Sequence, residues 1–249
     1  MLGEYLLLGA IGFAAQLVDG ALGMAFGVLS NAALLTMGIL PAQASAIVHT
    51  AEVFTTAGSA ASHVYHRNVD WRLVLRLGVP GVLGAIAGAW VLSNVDSRVG
   101  RPFIAAYLMV VGVLILWRAS RQIRLRDAPF VWAPPLGLVG GFLDASGGGG
   151  WGPVVTSTLI GSGHAPRTAV GSVNTTEFFV TTAAATTFFI ELGASRLDQL
   201  AALVLGGLIA APLGGWMVKR VQPKVLMILV GTLVIALSLW QLARTFMLV

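Results

Sequence analysis

Apolar residues run along this chain in blocks too long for the alternation of a strand or the one-sided stripe of a soluble helix. Asp, Glu, Lys and Arg are missing from residues 20–51, 77–95, 102–117, 128–143, 145–166, 199–218 and 225–243. A helix crosses about 30 Å of hydrocarbon with about 20 apolar residues, so each interval predicts a membrane span or part of one. Two apolar stretches are too long and too broken to be single straight helices. The first, 3–40, is interrupted at Asp19-Gly20-Ala21-Leu22-Gly23; the second, 129–163, is interrupted from Asp144 to Pro153, where four consecutive glycines precede Trp-Gly-Pro. Glycine and proline at that density do not hold a helix. Unpaired backbone between apolar stretches is tolerated only if it is buried in protein or lines a cavity. Both stretches therefore predict helix, break, helix. The N-terminal stretch lacks a basic n-region and a small-residue cleavage pattern, and predicts a retained segment rather than a secretory signal.

Sliding the chain against itself by 125 residues superposes the two breaks. Asp19 falls on Asp144, Gly23 on Gly148, Gly27 on Gly152, Pro41 on Pro166, Thr50 on Thr175, Glu52 on Glu177 and Phe54 on Phe179; one residue further on, Gly88-Ala89-Trp90 falls on Gly214-Gly215-Trp216. Asp, Pro, Glu and Trp in one order at one offset predict a duplicated unit. The expected fold is an all-α integral membrane protein of two homologous repeats. Each repeat is a broken, re-entrant-like hairpin followed by three spans, at 42–65, 72–93 and 99–118 and then at 166–190, 197–218 and 223–244. The first repeat covers 1–118, a basic connector 119–128, and the second repeat 129–249.

Composition narrows the class. Only 10% of the 249 residues are charged and 57% are hydrophobic, whereas a soluble domain carries about 25% charged residues. Soluble enzymes, nucleic-acid binders and disordered regulators are excluded, and the partners are a lipid bilayer and no nucleic acid. The absence of Cys removes disulfides and thiolate metal sites; four dispersed His without paired spacing predict no metal, and no cofactor is expected. The basic residues orient the chain. If each broken segment crosses the membrane once, they divide nine to six between the two sides. If each enters and returns, the repeats are inverted. Arg67, Arg72, Arg76, Arg118, Arg121, Arg124, Arg126, Arg167, Lys219, Arg220 and Lys224 then share one side, and Arg98, Arg101, Arg196 and Arg244 the other. The second division favours inverted repeats with both termini outside the cytoplasm.

Inverted repeats with interrupted helices place their site near the midplane at the repeat interface. Helix ends at a break leave N–H groups unpaired and partly positive, an anion site that needs no basic side chain. Gly20, Gly23 and Asn31 around the first break, and Ser146, Gly147, Gly148, Gly149, Gly150 and Trp151 at the second, are the candidates to line it. Asp19 and Asp144 precede the breaks, either as proton-coupling carboxylates or as caps of the returning half-helix. Glu52 and Glu177 stand well inside spans, where a carboxylate costs at least about 2.5 kcal/mol unless paired or protonated. Three residues before them, on the same helical face, come His49 and Asn174; Thr50, Thr175 and Thr176 lie between, and their hydroxyls suit an oxyanion. His49 replaced by Asn174 makes the site asymmetric. Trp90 and Trp216 follow small-residue runs and predict core packing, while Trp71, Trp117, Trp132 and Trp240 predict interface anchors. Small-residue runs such as Gly84 to Gly88 serve contacts within or between chains, so a homo-oligomer is compatible with them.

The segments Gly12 to Gly27, Pro41 to Glu52, Gly140 to Pro153 and Gly171 to Glu177 resemble the TauE/SafE family of sulfite and organosulfonate exporters over nearly the whole chain. The resemblance implies a carrier in the bacterial inner membrane for a small anion: sulfite, thiosulfate, a sulfonate such as sulfoacetate, or a small carboxylate. Two other readings stand beside it. One is a passive anion channel, which intramembrane carboxylates would oppose by repelling its cargo. The other is an intramembrane hydrolase using Ser146, which has no counterpart in the first copy, where Ala21 stands.

Overall fold

The computed structural model describes residues 2–121, 131–193, 197–218 and 222–247, and throughout them the regular structure is helical. In order these are α1 (Leu2–Leu22), α2 (Phe26–Thr36), α3 (Pro41–Tyr65), α4 (Trp71–Asn94), α5 (Ser97–Ala119), α6 (Ala133–Gly147), a π turn Gly152–Thr156 leading into α7 (Ser157–Gly161), α8 (Pro166–Leu192), α9 (Leu197–Val218) and α10 (Pro223–Met247). Their starts follow from local chemistry. Pro41 and Pro166 open α3 and α8 at a position whose N–H has no helical partner. Asp70 caps α4 at the N–H groups of Arg72 and Leu73, and Asp96 caps α5 at that of Arg98. Of the basic connector, Arg124 and Arg126 lie outside the described residues, as do Arg196, Lys219 and Arg220.

Both broken stretches are helix, break, helix, but the second break is narrower than the glycine run predicts. Asp144 to Gly147 remain helical, only Gly148 to Gly150 leave the helix, and Trp151 already starts the return. Pro153 is accommodated because it falls in the first turn.

Helices α1, α4, α5 and α10 are long and apolar enough to cross a membrane by length and composition. Their outer faces suit lipid. On α4, Leu75, Val79, Leu83, Ile86 and Trp90 form an exposed stripe at helical spacing. Trp90 is thus turned outward, 55% exposed, and the core packing expected of it is corrected; small residues on the opposite face of α4 meet α6 and leave the indole no room there. The side chain of Trp216 lies outside the described ones. Trp71, Trp117 and Trp132 are exposed at helix ends, as interface anchors require.

The running directions come from the contacts. Tyr5 donates to Asp198 at 2.5 Å, and Gly9 and Gly12 abut Ala202 and Leu203, so α1 and α9 are parallel. Gly137 abuts Leu77 and Gly141 abuts Gly81, so α6 and α4 are parallel. Gly12 against Leu203 and Gly137 against Leu77 are equivalent contacts, each with glycine backbone in van der Waals contact with a facing carbonyl, the usual device for close helix pairing in lipid. Gly84 and Gly88 meet Leu138 and Phe142, so that run serves α6 of the same chain. Helix α3 is antiparallel to α8, with Asn68 beside Gly171, Ser59 beside Asn174 and His49 beside Phe188. Helix α5 is antiparallel to α10, with Gly112 against Ile235 and Leu116 against Gly231. Helices α3 and α8, the most polar pair, pack on each other and are flanked by α4 and α9.

Candidate functional site

The two breaks meet at the centre of the bundle, beside the midpoints of α3 and α8. Gly149 lies on Gly27, and Gly152 lies on Met24, so each break crosses the other through equivalent residues. Only glycine fits at Gly149: its φ is +127°, and a Cβ there would stand 2.5 Å from the carbonyl carbon of Gly27.

Asp19 and Asp144 sit one turn before their breaks and reach across them. Asp19 Oδ1 accepts from Ala25 N at 2.7 Å and Phe26 N at 3.2 Å, while Asp144 Oδ1 accepts from Trp151 N at 2.8 Å. Each carboxylate therefore caps the returning half-helix from six or seven residues upstream. Asp144 has a further partner. Its Oδ2 stands 3.2 Å from His49 Nε2, both side chains being buried. Hydrogen-bond accounting fixes one proton of that imidazole: Nδ1 faces the Ser45 carbonyl at 2.8 Å and must donate to it. The Ser45 hydroxyl itself donates to Ala145 O at 2.9 Å. Nε2 and the Asp144 carboxyl therefore share one proton in the middle of the bundle.

A small cavity of about 10 Å³ lies where the breaks cross. That is room for about one water. Asp19, Glu52, Asp144 and Glu177 all line it, with Gly150, and its remaining wall is Met24 to Val28, Gly152 and Pro153. Gly27 and Val28 belong to the first turn of α2, whose N–H groups have no partner within the helix. Glu52 Oε1 lies against Gly27, and its Oε2 is buried without a protein partner.

The structure thus brings together the four predicted carboxylates, His49 and the glycines of the second break. Gly23 adjoins Asn174, whose Nδ2 donates to Ser59 Oγ at 3.0 Å while its Oδ1 is buried without a partner. Asn31 Nδ2 donates to Gly147 O at 3.3 Å and adjoins Gly148, and its Oδ1 is likewise unpartnered. Others stand apart. Gly20 is inside α1 on an exposed face. Thr50 borders a separate cavity beside Phe188, and its hydroxyl donates to Ala46 O. Thr175, Thr176 and Ser146 also donate to carbonyls of their own helices, at Gly171, Ser172 and Phe142. Trp151 is fully buried, and its indole N–H donates to Val173 O at 3.3 Å, holding the half-helix to α8.

Tyr107 of α5 carries no signal in the sequence, since its neighbours read as an ordinary span and the residue that the expected repeat sets against it is Leu233. Its ring abuts Gly147, its hydroxyl abuts Gly150, and that hydroxyl is buried without a protein partner. Removing an unmatched buried hydroxyl is neutral or favourable, by up to about 1 kcal/mol. Tyr107→Phe is therefore expected to keep or raise the unfolding midpoint in detergent. A clear drop would mean that the hydroxyl has a partner within the fold.

An apolar outer face around a centre of crossed helix breaks and buried carboxylates defines a multi-pass membrane protein with a polar centre. The family model described as sulfite exporter TauE/SafE matches residues 8–240, and the chain belongs to that family. It is 43% identical over 237 residues to the "Probable membrane transporter protein YtnM" of Bacillus subtilis (strain 168), an alignment covering 92% of this chain and 79% of that protein. No solved structure matches it.

Proposed function

We propose that this chain is a secondary transporter of a bacterial inner membrane that moves a small anion, of the sulfite, thiosulfate, sulfonate or small-carboxylate class, coupled to protons. The observation that carries the reading is the convergence of two capped half-helices and four carboxylates on one midplane cavity. An anion would be held by the N–H groups of the half-helix starts, in competition with the Asp19 and Asp144 caps. Carboxylates beside it repel an anion unless they are protonated, so proton uptake and anion binding favour each other. The proton shared by His49 and Asp144 and the unpartnered Glu52 Oε2 supply places for that exchange. The cavity's small size favours a carrier that closes around its cargo over an open pore.

The running directions support two inverted repeats, 1–118 and 129–249. Helices α1, α3 and α5 share one direction with α9, and α6, α8 and α10 share the opposite one with α4, so every equivalent pair is reversed. Helices α1 and α3 point the same way, which requires α2 to return between them as in a re-entrant hairpin. The end of the bundle bearing Arg67, Arg72, Arg118, Arg121, Arg167 and Lys224 is then cytoplasmic, with both termini opposite.

Glu177→Gln tests the coupling. In proteoliposomes, sulfite uptake driven by a proton gradient should fall at least about tenfold, the scale of site-to-site coupling of 1–3 kcal/mol, with the protein still folded. Unchanged flux with unchanged proton dependence would remove Glu177 from the mechanism.

A further inference from the structure

A third cavity, of about 510 Å³, opens at the end of the bundle where α2 turns into α3. Arg98 and Arg101 from the first turns of α5, Arg244 from the end of α10, and Thr36, Trp240 and Gln241 stand on its wall. Three arginines from two antiparallel helices thus line it, and no Asp or Glu is among the described lining residues. Among the described residues none of the three forms an ion pair. Arg101 Nη2 donates to Gly38 O at 2.9 Å and pins the α2–α3 turn. Asp96, the acidic residue next in sequence, caps α5 by accepting from Arg98 N at 2.8 Å and is not on the wall. Like charges gathered in one cleft repel one another and concentrate anions from solution.

The cavity is linked to the central site by one element. Helix α2 has 11 residues, about 16 Å of length. Its first residues line the central cavity and its last, Leu35 and Thr36, line this one.

We propose that this cleft is an anion-binding vestibule, taking small oxyanions of the sulfonate and sulfite class at the outer end of α2. Its guanidinium groups hold the oxyanion by charge-assisted hydrogen bonds. The passage of that anion to the central cavity rests on the transport reading above; occupancy of the vestibule does not. A lipid phosphate has the same chemistry as a free oxyanion, so the test separates the two.

Trp240 is a built-in reporter, 57% exposed on the wall. Its fluorescence is obtained as the difference between the full chain and Trp240→Phe, both in nanodiscs of phosphatidylcholine alone. Iodide should quench this component efficiently, and millimolar methanesulfonate should relieve the quenching saturably. Combining Arg98→Gln, Arg101→Gln and Arg244→Gln should lower the iodide quenching constant about threefold or more, because the charge that concentrates the anion is gone. Quenching by neutral acrylamide should not change. Should the triple variant fold poorly, Arg98→Gln and Arg244→Gln, both at exposed residues, are measured singly and should each give part of the loss. Equal iodide quenching with and without the arginines overturns the proposal. So does the absence of relief by methanesulfonate together with loss of quenching when phosphatidylglycerol is added, which would assign the cleft to lipid headgroups. Because the readout is binding, an intact vestibule with no anion flux would count against the transport reading alone.

Discussion

Asp144→Ala is expected to destabilise the protein by about 3–5 kcal/mol, the usual cost of breaking a buried pair, and to abolish transport. Asp19→Ala should cost about 1 kcal/mol, the cost of a lost cap. The two aspartates are equivalent by sequence and both cap a half-helix across a break. Only Asp144 also pairs with His49, at 3.2 Å and out of contact with solvent. Removing it leaves both Nε2 and the Trp151 N–H without their partner. The difference between the two variants therefore isolates the histidine pair. A cycle with His49→Ala makes the point sharper: adding it to Asp144→Ala should cost much less than it does alone. Unfolding midpoints in one detergent, with flux in proteoliposomes, measure both effects. Equal losses at Asp19 and Asp144 would show that the pair with His49 adds nothing.

Gly149→Ala is expected to be severely damaging, because it combines backbone strain with a backbone clash. The residue has φ +127°, and the new Cβ would lie 2.5 Å from Gly27 C and 2.6 Å from Val28 N. Backbone strain of about 1–3 kcal/mol adds to overpacking of about 1–3 kcal/mol. The atoms in the way are backbone at the start of α2, so the methyl can be admitted only by moving the half-helix that lines the central cavity. Low yield and no transport are the expected result. Gly27→Ala is milder, since its Cβ meets the end of the Glu52 side chain at 2.8 Å and Gly149 Cα at 3.0 Å; a folded but impaired protein is expected. Gly161→Ala, with nothing within 4 Å, is the neutral control. Wild-type flux and midpoint in Gly149→Ala would mean that the breaks do not cross as described.

Much of this was legible in the chain because lipid makes the rules severe. The span expected at 72–93 is Trp71–Asn94, because the charge-free length at 77–95 is what the bilayer selects, and the span expected at 166–190 is Pro166–Leu192, its start fixed by Pro166. Glu52 and Glu177 stood out for the same reason, as carboxylates at a depth where they are costly. What stayed hidden depends on where side chains turn. The hydroxyls of Thr50, Thr175 and Thr176 bond back one turn to their own helices, an option open to any helical threonine and invisible in its letter. The second break is short because Asp144 caps Trp151 from seven residues away, further than a local cap pattern reaches. Tyr107 meets the glycines only through tertiary packing. Trp90 faces outward because the small residues beside it, not the indole, were selected for contact with α6.

The pairing of α1 with α9 also sets a clock on biogenesis. Tyr5 and Asp198 are separated by 193 residues, and at about 5–20 residues per second a ribosome needs about 10–40 s to make that stretch. Throughout that interval α1 has α2 beside it but lacks α9, the helix it packs on most extensively. Helix α4 likewise waits for α6. Neither half can complete its packing from its own helices, so the chain commits to its native arrangement only when its last quarter emerges.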